Sequence, residues 1–388
     1  MGSDVHSKTG GLLINRLAPH WLFWIVLFGM PGLPGADAFE TMLTIEPTEA
    51  YPRNSEGDMA VLKDGRLCLV YTQFYGGTSD HASANLAMRT SDDAGRTWTD
   101  DRIVVRNEAG KNVMSVSLLR LQSGELVLFY LRKESLQDCR PMMRISSDEA
   151  TSWSEAVCCI NDEIGYYVLN NDRAVQLASG RIVLPVALHA TVEEPQWNYA
   201  AQILCYLSDD QGKTWRRSAR AGVGDNPKGK EAMVQEPGVV ELKDGRLMIF
   251  CRTDGGSQYV AHSADEGDTW SDLRPSLLAS PRSPATIERN PVDGNLVCVW
   301  NDHSGRYPFA AGKRTPLCLA ISRDEGKTWS RSRVIEGAPD GWYCYTAMAF
   351  HKGRLLLAYC AGDKTVGGLN RLKAVVVRQS ELEYTSFE

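Results

Sequence analysis

Residues 208–215 read Ser-Asp-Asp-Gln-Gly-Lys-Thr-Trp, and the pattern behind them, Ser-x-Asp-x-Gly-x-Thr-Trp, occurs five times along the chain. The copies begin at Ser91, Ser146, Ser208, Ser263 and Ser322, at intervals of 55, 62, 55 and 59 residues. The second copy is degenerate, with Ala150 in the glycine position and Ser152 in the threonine position. A fixed period of this length indicates that one supersecondary unit is repeated.

The residue types of this eight-residue box indicate a structural role rather than a catalytic one. Its glycine can take the positive φ that a tight turn needs. Its serine and aspartate side chains can hydrogen-bond nearby backbone amides, and its tryptophan gives a small hairpin a large apolar anchor. A calcium loop is the competing interpretation of the aspartates. It is disfavoured because the distal bidentate glutamate of an EF-hand loop is missing.

A second pattern recurs in step with the box, namely a turn that ends in glycine and leads into an apolar strand. Such turns between apolar runs predict β-hairpins. There are six of them, at residues 64–67, 123–126, 179–182, 244–247, 293–296 and 352–355. Six units of about 58 residues, each a four-stranded sheet, predict an all-β, six-bladed β-propeller over residues 39–388. We expect Met42–Ile45 to pair with Lys373–Val377 and so close the ring.

The gross composition limits the partners. The chain has 388 residues and a net charge of −6, which argues against nucleic acid as a ligand because that requires a basic face. A few arginines in a cleft would still attract an anion.

The N-terminal segment differs from the rest. Residues 21–28 form a short, very apolar run that basic residues precede and Ala36-Asp37-Ala38 follows. This pattern predicts a signal peptide over residues 1–38 and therefore an exported protein, secreted or periplasmic. The run is about half of what a bilayer span needs, so no stable membrane span is expected. An uncleaved membrane anchor and a cytoplasmic protein remain the alternatives.

Ten cysteines in an exported chain would ordinarily predict disulfides. Several of them lie inside apolar strand-like runs, where a free cysteine behaves as a small buried hydrophobic residue. We expect mostly free thiols, with one or two bridges left open. No cysteine or histidine pair has metal-ligand spacing, and no metal or cofactor is predicted.

Residues 235–252 read Gln-Glu-Pro-Gly-Val-Val-Glu-Leu-Lys-Asp-Gly-Arg-Leu-Met-Ile-Phe-Cys-Arg. This stretch resembles the exo-α-sialidases, or neuraminidases, whose propellers also carry the aspartate box. The resemblance implies that Glu236 polarises a tyrosine nucleophile and that Arg252 is the second member of an arginine triad. It extends from about residue 50 to residue 360, which is nearly the whole of the predicted propeller.

The same resemblance implies the other site residues. Arg314 lies eight residues before the serine of the last box, where the family has its third arginine. Tyr345, followed by Thr346, matches the nucleophile, and Asp80 lies in the loop that carries the general acid. Arg53 is the candidate for the first arginine, although Asn54 and Ser55 follow it instead of the usual Ile-Pro. In place of a glycine-rich loop of the third blade the chain has three polar residues, which we expect to line the rim and set specificity: Asn171, Asp172 and Arg173.

These residue types suit an acidic sugar. A sialic acid carries its carboxylate on the anomeric carbon, and arginines bind that group with charge-assisted hydrogen bonds. A tyrosine that Glu236 deprotonates avoids the repulsion that a carboxylate nucleophile would meet. Asp80 would protonate the leaving oxygen. The implied function is a retaining exo-α-sialidase-type hydrolase that releases terminal sialic acid, or a related nonulosonic acid, from sialylated glycoconjugates.

Taken singly, each of these residues has an ordinary structural explanation, and it is their joint order along the blades that favours a site. Three alternatives remain open. One is a non-catalytic sugar-binding propeller, which would not need both Tyr345 and Glu236. Another is a protein-interaction scaffold, which has no reason to gather arginines. The last is a lyase-type or trans-glycosylating relative that uses the same residues.

Overall fold

The computed structural model describes residues 38–383, and the regular secondary structure of this part of the chain consists almost entirely of β-strands. They form six four-stranded blades in chain order, with one extra short strand in the third blade. Blades two and three are joined because β10 pairs with β8 in parallel at Tyr166 and Cys139. The predicted all-β six-bladed propeller is confirmed.

Blades one to three run from the innermost strand outward. Blade one contains β2 (Arg53–Val61), β3 (Leu67–Phe74), β4 (Ala84–Ser91) and β5 (Arg102–Val105). Blade two contains β6 (Asn112–Arg120), β7 (Leu126–Lys133), β8 (Cys139–Ser146) and β9 (Val157–Cys158). Blade three contains β10 (Gly165–Val168), β11 (Val175–Gln176), β12 (Ile182–Thr191), β13 (Gln202–Ser208) and β14 (Arg216–Arg217).

Blades four to six repeat this order. Blade four contains β15 (Val234–Glu241), β16 (Leu247–Thr253), β17 (Ser257–Ser263) and β18 (Arg274–Ala279). Blade five contains β19 (Thr286–Arg289), β20 (Leu296–Asn301), β21 (Leu317–Ser322) and β22 (Arg333–Glu336). Blade six contains β23 (Trp342–His351), β24 (Arg354–Gly362), β25 (Leu372–Val377) and β1 (Phe39–Ile45). A short helix, α1 (Gln379–Glu383), follows.

The first and last strands close the ring within blade six. β1 pairs antiparallel with β25, with Leu43 opposite Ala374 and Ile45 opposite Leu372. This confirms the closure expected from the sequence. Because the outermost strand of the blade comes from one end of the propeller segment and its three inner strands from the other, the pairing holds the two ends together.

The hydrophobic cores lie between neighbouring blades. The core between blades one and two, for example, joins Val70 and Leu86 to Val113 and Leu128, all fully buried. Each blade therefore buries both faces, which explains why the central strands are almost continuously apolar.

The aspartate boxes close the turn after the third strand of five blades. In the first box, Asp93 Oδ1 accepts from Thr97 N over 2.8 Å and Ser91 Oγ accepts from Gly95 N over 2.8 Å. The degenerate copy keeps this geometry, with Ser152 replacing threonine and Ala150 held at a φ of 62°. The boxes and the Asp-Gly hairpins lie at one end of the strands. The loops from second to third strand lie at the other.

All ten cysteines are free thiols in the structure. Among residues 38–383, no helix is long and apolar enough to span a membrane. The predicted signal peptide, residues 1–38, lies outside the described residues except for its last position.

Candidate active site

Bulges in the inner strands aim side chains at the propeller axis. Strands β2, β6, β15 and β23 each shift register in mid-strand. At each bulge one non-glycine residue has a left-handed backbone: Glu56 (φ 51°), Ser115 (φ 59°), Glu236 (φ 52°) and Tyr345 (φ 58°). Such a conformation costs roughly 1–2 kcal/mol per residue, and strain of this kind clusters at functional sites. The bulges therefore mark one site shared by four blades.

Above these bulges lies an axial cavity of about 310 Å³, at the end of the propeller that carries the second-to-third-strand loops. The predicted residues Asp80, Glu236, Arg252, Arg314 and Tyr345 all line it. They come from blades one, four, five and six, and only the fold brings them together.

Tyr345 and Glu236 form the centre of the site. The Tyr345 hydroxyl donates to Oε1 of Glu236 over 3.0 Å, and Nη1 of Arg252 donates to the same oxygen over 2.7 Å. Although burial opposes its ionisation, Glu236 has a pKa below its ordinary value because Arg252 and Arg314 stabilise the carboxylate. Burial and the Glu236 charge together raise the pKa of Tyr345 well above its ordinary value. The pair therefore consists of an ionised base and a neutral hydroxyl.

The guanidinium of Arg314 lies over the ring of Tyr345. Its guanidinium carbon is 5.3 Å from the centroid of the Tyr345 ring and 5.1 Å from that of Trp342. Nη1 donates to Sγ of Cys344 over 2.9 Å, and Cys344 lies opposite Cys360 across the β23–β24 pair. Burial raises the pKa of Cys344, but its bond from Cys360 and the Arg314 charge outweigh burial and lower it overall.

Arg53 is in the site but not on the cavity wall. Its side chain is 1% exposed, and its guanidinium bonds Glu56 Oε1 over 2.8 Å and Asp80 Oδ1 over 2.5 Å. Glu56 in turn accepts from Ser115 Oγ over 2.8 Å. Partial desolvation by the surrounding protein disfavours the charged form of Asp80, but the charge and hydrogen bond of Arg53 outweigh this and lower the pKa of Asp80. Asp80, the predicted general acid, and Arg53, the predicted first arginine of the triad, therefore form an ion pair with each other.

An aromatic wall completes one side of the cavity. His189 stacks on Trp197 with ring centroids 4.1 Å apart, and Tyr166 meets the same indole edge-on at 5.0 Å. Nδ1 of His189 donates to the carbonyl oxygen of Asn198 over 2.8 Å, which leaves Nε2 as an acceptor. Burial lowers the pKa of His189 to about 4, so the ring is neutral at pH 7. Trp197 and Tyr199 remain 41% and 59% exposed at the mouth.

The three residues that were predicted to line the rim of the cavity lie elsewhere in the structure. Asn171 and Arg173 are buried and Asp172 is half-buried, and Asp172 and Arg173 line a second axial cavity near the Asp-Gly hairpins. Asp172 accepts from Met348 N over 3.0 Å, and Arg173 donates to the carbonyl oxygen of Ala285 over 2.8 Å. The prediction that they form the rim was wrong because they connect blade three to the inner parts of other blades, through Gly57, Ser117 and Thr286 among others. Asn171 comes nearest to the site, through a 2.9 Å bond to the Tyr345 carbonyl oxygen.

Sequence reasoning missed several residues of the cavity wall, namely Glu56, Lys133, Tyr166, His189, Trp197 and Arg282. For Glu56 the sequence does contain a signal. Glu56 lies nine residues before the hairpin glycine Gly65, as Glu236 lies nine before Gly245. The others carry no repeated pattern.

Among residues 38–383, no group of three or more histidine, cysteine, aspartate or glutamate side chains is placed to hold a metal ion.

The fold and the site define a propeller of the sialidase type, and comparison with known proteins agrees. The chain belongs to the BNR repeat-like domain family, whose model matches residues 65–357. The resemblance to sialidases is thereby confirmed.

Relatives include a sialidase of Micromonospora viridifaciens, 25% identical over 357 residues, which covers 82% of this chain and 52% of the relative. A sialidase of Paraclostridium sordellii is 26% identical over 238 residues, or 55% of each chain. The chain thus spans about half the length of these relatives.

Solved structures share the fold. A protein of unknown function from Dyadobacter fermentans has a TM-score of 0.68 at 18% identity, and the match covers 88% of this chain and 100% of that one. A sialidase from Streptococcus pneumoniae has a TM-score of 0.68 at 15% identity, and the match covers 90% of this chain and 72% of that one.

Proposed function

We propose that this chain is a retaining exo-α-sialidase-type glycoside hydrolase that removes a terminal sialic acid, or a related nonulosonic acid, from glycoconjugates. The observation that carries the proposal is the 3.0 Å hydrogen bond from Tyr345 to Glu236 beside Arg252, whose side chain is 11% exposed, and the buried Arg314. The sialidases among the relatives support the same function.

Substrate binding rests on charge. The carboxylate of an acidic sugar would lie against Arg252 and Arg314, whose guanidinium groups can donate in pairs to its oxygens. Arg53 can join them only by exchanging Asp80 for the substrate carboxylate, because its guanidinium is already bonded to Glu56 and Asp80. Binding would therefore release Asp80 from the cation that keeps it ionised. Asp80 could then take up the proton that a general acid needs.

The first chemical step transfers the sugar to the enzyme. The Tyr345 hydroxyl oxygen bonds to the anomeric carbon as its proton passes to Glu236, and the bond from that carbon to the leaving oxygen breaks. Asp80 gives its proton to the leaving oxygen. The arginines stabilise the substrate carboxylate next to a positively charged, oxocarbenium-like centre, in a site organised before the reaction.

The second step reverses these roles. A water attacks the anomeric carbon, Asp80 accepts its proton, and the tyrosine leaves with the proton that Glu236 returns. Two displacements at one carbon retain the configuration. Asp80 suits both its roles because its side chain is 58% exposed and in reach of solvent.

The remaining alternatives are unequally supported. A non-catalytic sugar-binding propeller has no use for a tyrosine bonded to a base, so the Tyr345–Glu236 pair disfavours it. Trans-glycosylation needs the same residues and differs only in what attacks in the second step. An anhydrosialidase of Macrobdella decora is among the relatives, 26% identical over 229 residues. This relative supports trans-glycosylation as the alternative to hydrolysis.

We also propose that the protein is exported through residues 1–38. The support is the apolar run at residues 21–28 followed by Ala36-Asp37-Ala38. Expression of the full chain, followed by N-terminal sequencing of protein outside the cell, tests this. A secreted product that begins near residue 39 supports export, and retention of the uncut chain in the cytoplasm contradicts it.

The enzymatic proposal is tested by incubating the full chain with a 4-methylumbelliferyl α-sialoside while following the sugar by proton NMR. We expect fluorophore release, with the α-anomer of the free sugar appearing before mutarotation. An anhydro or unsaturated sugar would instead place the chain with the trans-glycosylating or lyase-type relatives. No release from this or any other nonulosonic acid glycoside would contradict a hydrolase.

A further inference from the structure

Two cysteines face each other next to the proposed nucleophile. Cys344 immediately precedes Tyr345 on β23, and Cys360 lies directly opposite it on β24. Directly opposite residues of an antiparallel pair have Cα atoms about 4.5–5.5 Å apart, which is inside the range of roughly 4.4–6.8 Å that a disulfide can bridge. No other cysteine in the described strands has a cysteine directly opposite it.

The pair packs against the active site. Cys344 and Cys360 are 1% and 0% exposed and form a small cluster with Tyr345. Leu369, which packs on this cluster, and Arg314 both line the axial cavity. Nη1 of Arg314 donates to Sγ of Cys344 over 2.9 Å. A small molecule that is bound to this guanidinium therefore lies one contact away from the Cys344 sulphur.

The two thiols differ in reactivity. Burial acts to raise the pKa of both. At Cys344 the bond from Cys360 and the charge of Arg314 outweigh burial and lower the pKa, whereas the pKa of Cys360 lies well above its ordinary value. A thiolate beside a cation is the form of cysteine that reacts with oxidants. Cys344 is thus suited to attack an oxidant, and Cys360 is suited to complete a disulfide.

We propose that Cys344 and Cys360 are a reversible dithiol–disulfide pair, oxidised by hydrogen peroxide, that controls how strongly Arg314 binds an anionic ligand. In the reduced protein the Cys344 sulphur accepts from Arg314 and competes with a ligand carboxylate for the guanidinium. A disulfide sulphur carries no charge and is a weak acceptor, so oxidation leaves the guanidinium to the ligand. The thiol chemistry stands without the proposed function, and its effect on an acidic sugar rests on that function.

The oxidation consumes one molecule of peroxide. The Cys344 sulphur bonds to one oxygen as the O–O bond breaks, which gives a sulfenic acid and a hydroxide that takes up a proton to become water. The Cys360 sulphur then bonds to Sγ of Cys344, the S–O bond breaks, and the oxygen leaves as water with the Cys360 proton. Two thiols lose two electrons and two protons, and the peroxide becomes two waters. An added thiol reverses the bond by exchange.

The first experiment locates the bond. The full chain is treated with hydrogen peroxide, unfolded in iodoacetamide to block the remaining thiols, and digested with trypsin. Trypsin places Cys344 in the peptide 334–352 and Cys360 in the peptide 355–364. We expect mass spectrometry to find these peptides joined, and dithiothreitol to separate them.

Two further cysteines provide an internal control. Cys298 and Cys318 are buried in one core, but neither lies opposite the other across β20 and β21. Their peptides, 290–306 and 315–323, should stay separate under the same treatment. Equal linkage of the control pair would show that burial in a shared core is sufficient and would overturn the special role of the pair at Arg314.

A variant separates the two steps of the oxidation. Cys360→Ser removes the second sulphur and keeps the first, so peroxide should yield a sulfenic acid at Cys344 that dimedone traps, with no joined peptides. If this variant does not fold, the peptide map of the wild-type protein carries the test.

The second experiment measures the effect on the site. Calorimetry compares the binding of N-acetylneuraminic acid to the reduced and the oxidised wild-type protein. We expect the Kd to fall by about fivefold or more on oxidation, the lower end of the usual coupling between two sites, and to return with dithiothreitol.

The outcomes distinguish this inference from the proposed function. Free thiols at both positions after peroxide treatment overturn the inference, and a disulfide that leaves the Kd unchanged overturns the control of Arg314. Neither result touches the proposed hydrolase. Absence of sugar binding by both forms, together with absence of turnover, contradicts the proposed function, while joined peptides would still support the disulfide.

Discussion

The Tyr345 hydroxyl and the Glu236 carboxylate share one 3.0 Å hydrogen bond although 109 residues separate them in sequence. Each lies at the bulge of an inner strand, in blades six and four, with a left-handed backbone. Arg252 donates to the same carboxylate oxygen, so Glu236 stays ionised beside a neutral tyrosine. This arrangement can take a proton from the hydroxyl at the moment that its oxygen attacks.

Glu236→Gln removes the base and keeps the shape of the side chain. We expect kcat at pH 7 to fall by about 10²- to 10⁴-fold, with little change in KM, because general-base catalysis is worth roughly that factor. Steady-state kinetics with an aryl sialoside measures it. Glu241→Gln, at the far end of the same strand, is the control and should leave kcat unchanged. A kcat within threefold of wild type for Glu236→Gln would contradict the assignment.

The ion pair between Arg53 and Asp80 predicts different pH profiles for free and bound enzyme. In the free enzyme Arg53 lowers the pKa of Asp80, so the protonated acid is lost as the pH rises through this low value. Bound substrate takes over Arg53, and the pKa of Asp80 rises. The alkaline limb of kcat/KM, which reports the free enzyme, should therefore lie at lower pH than that of kcat.

A leaving group that needs no proton provides the control for this profile. With a 4-nitrophenyl sialoside the alkaline limb assigned to Asp80 should weaken, while with a sialyl-oligosaccharide it should stay. Coincident limbs of kcat and kcat/KM for the oligosaccharide would show that Arg53 does not exchange Asp80 for substrate.

Arg314→Ala should weaken binding as well as turnover. The guanidinium is buried, and a substrate carboxylate bound there would lose a desolvated charged partner, at about 2–5 kcal/mol. KM for the aryl sialoside should rise and kcat/KM should fall by roughly 30-fold or more. Arg289→Ala also removes an arginine of blade five, one paired with Glu325 away from the cavity, and should leave KM unchanged. Equal KM values for the two variants would remove Arg314 from the site.

The degenerate box offers a stability test. Ala150 holds a φ of 62° in the glycine position, which costs an alanine roughly 1–2 kcal/mol. Ala150→Gly relieves this strain but adds unfolded-state entropy, so we expect a net gain of about 0.5–1 kcal/mol, seen as a higher Tm. Gly267→Ala is the reverse change in an intact box, where a new Cβ would meet nothing closer than 3.4 Å, and it should lower Tm. A lower Tm for Ala150→Gly would show that the second box is not strained.

The sequence predicted the blades where a short pattern of residues recurs along the chain and its members contact one another. Each box is closed by its own serine and aspartate, as at Ser91 and Asp93, so five copies with six hairpins predicted the blades. Glu236 and Arg252 could be proposed because a single hairpin fixes their spacing, and Tyr345 because it precedes another.

Other features depend on bulges, which change the face that a side chain occupies without leaving a pattern in the sequence. Asp172 has a left-handed backbone between β10 and β11, and it and Arg173 face the second cavity and not the rim. Lys133 and His189 line the site because blades two and three place them there, and their own neighbours in sequence resemble any buried strand.

The most direct test of the account is the turnover of an aryl sialoside by Tyr345→Phe, with sugar binding measured on the same preparation by calorimetry. The ring still fills its place and only the attacking oxygen is lost. We predict that kcat falls on the order of a thousandfold or more, as when a nucleophile is removed from other covalent catalysts, while the Kd of the released sugar stays within a few-fold of wild type. Near wild-type turnover by Tyr345→Phe would contradict the assignment of Tyr345 as the nucleophile.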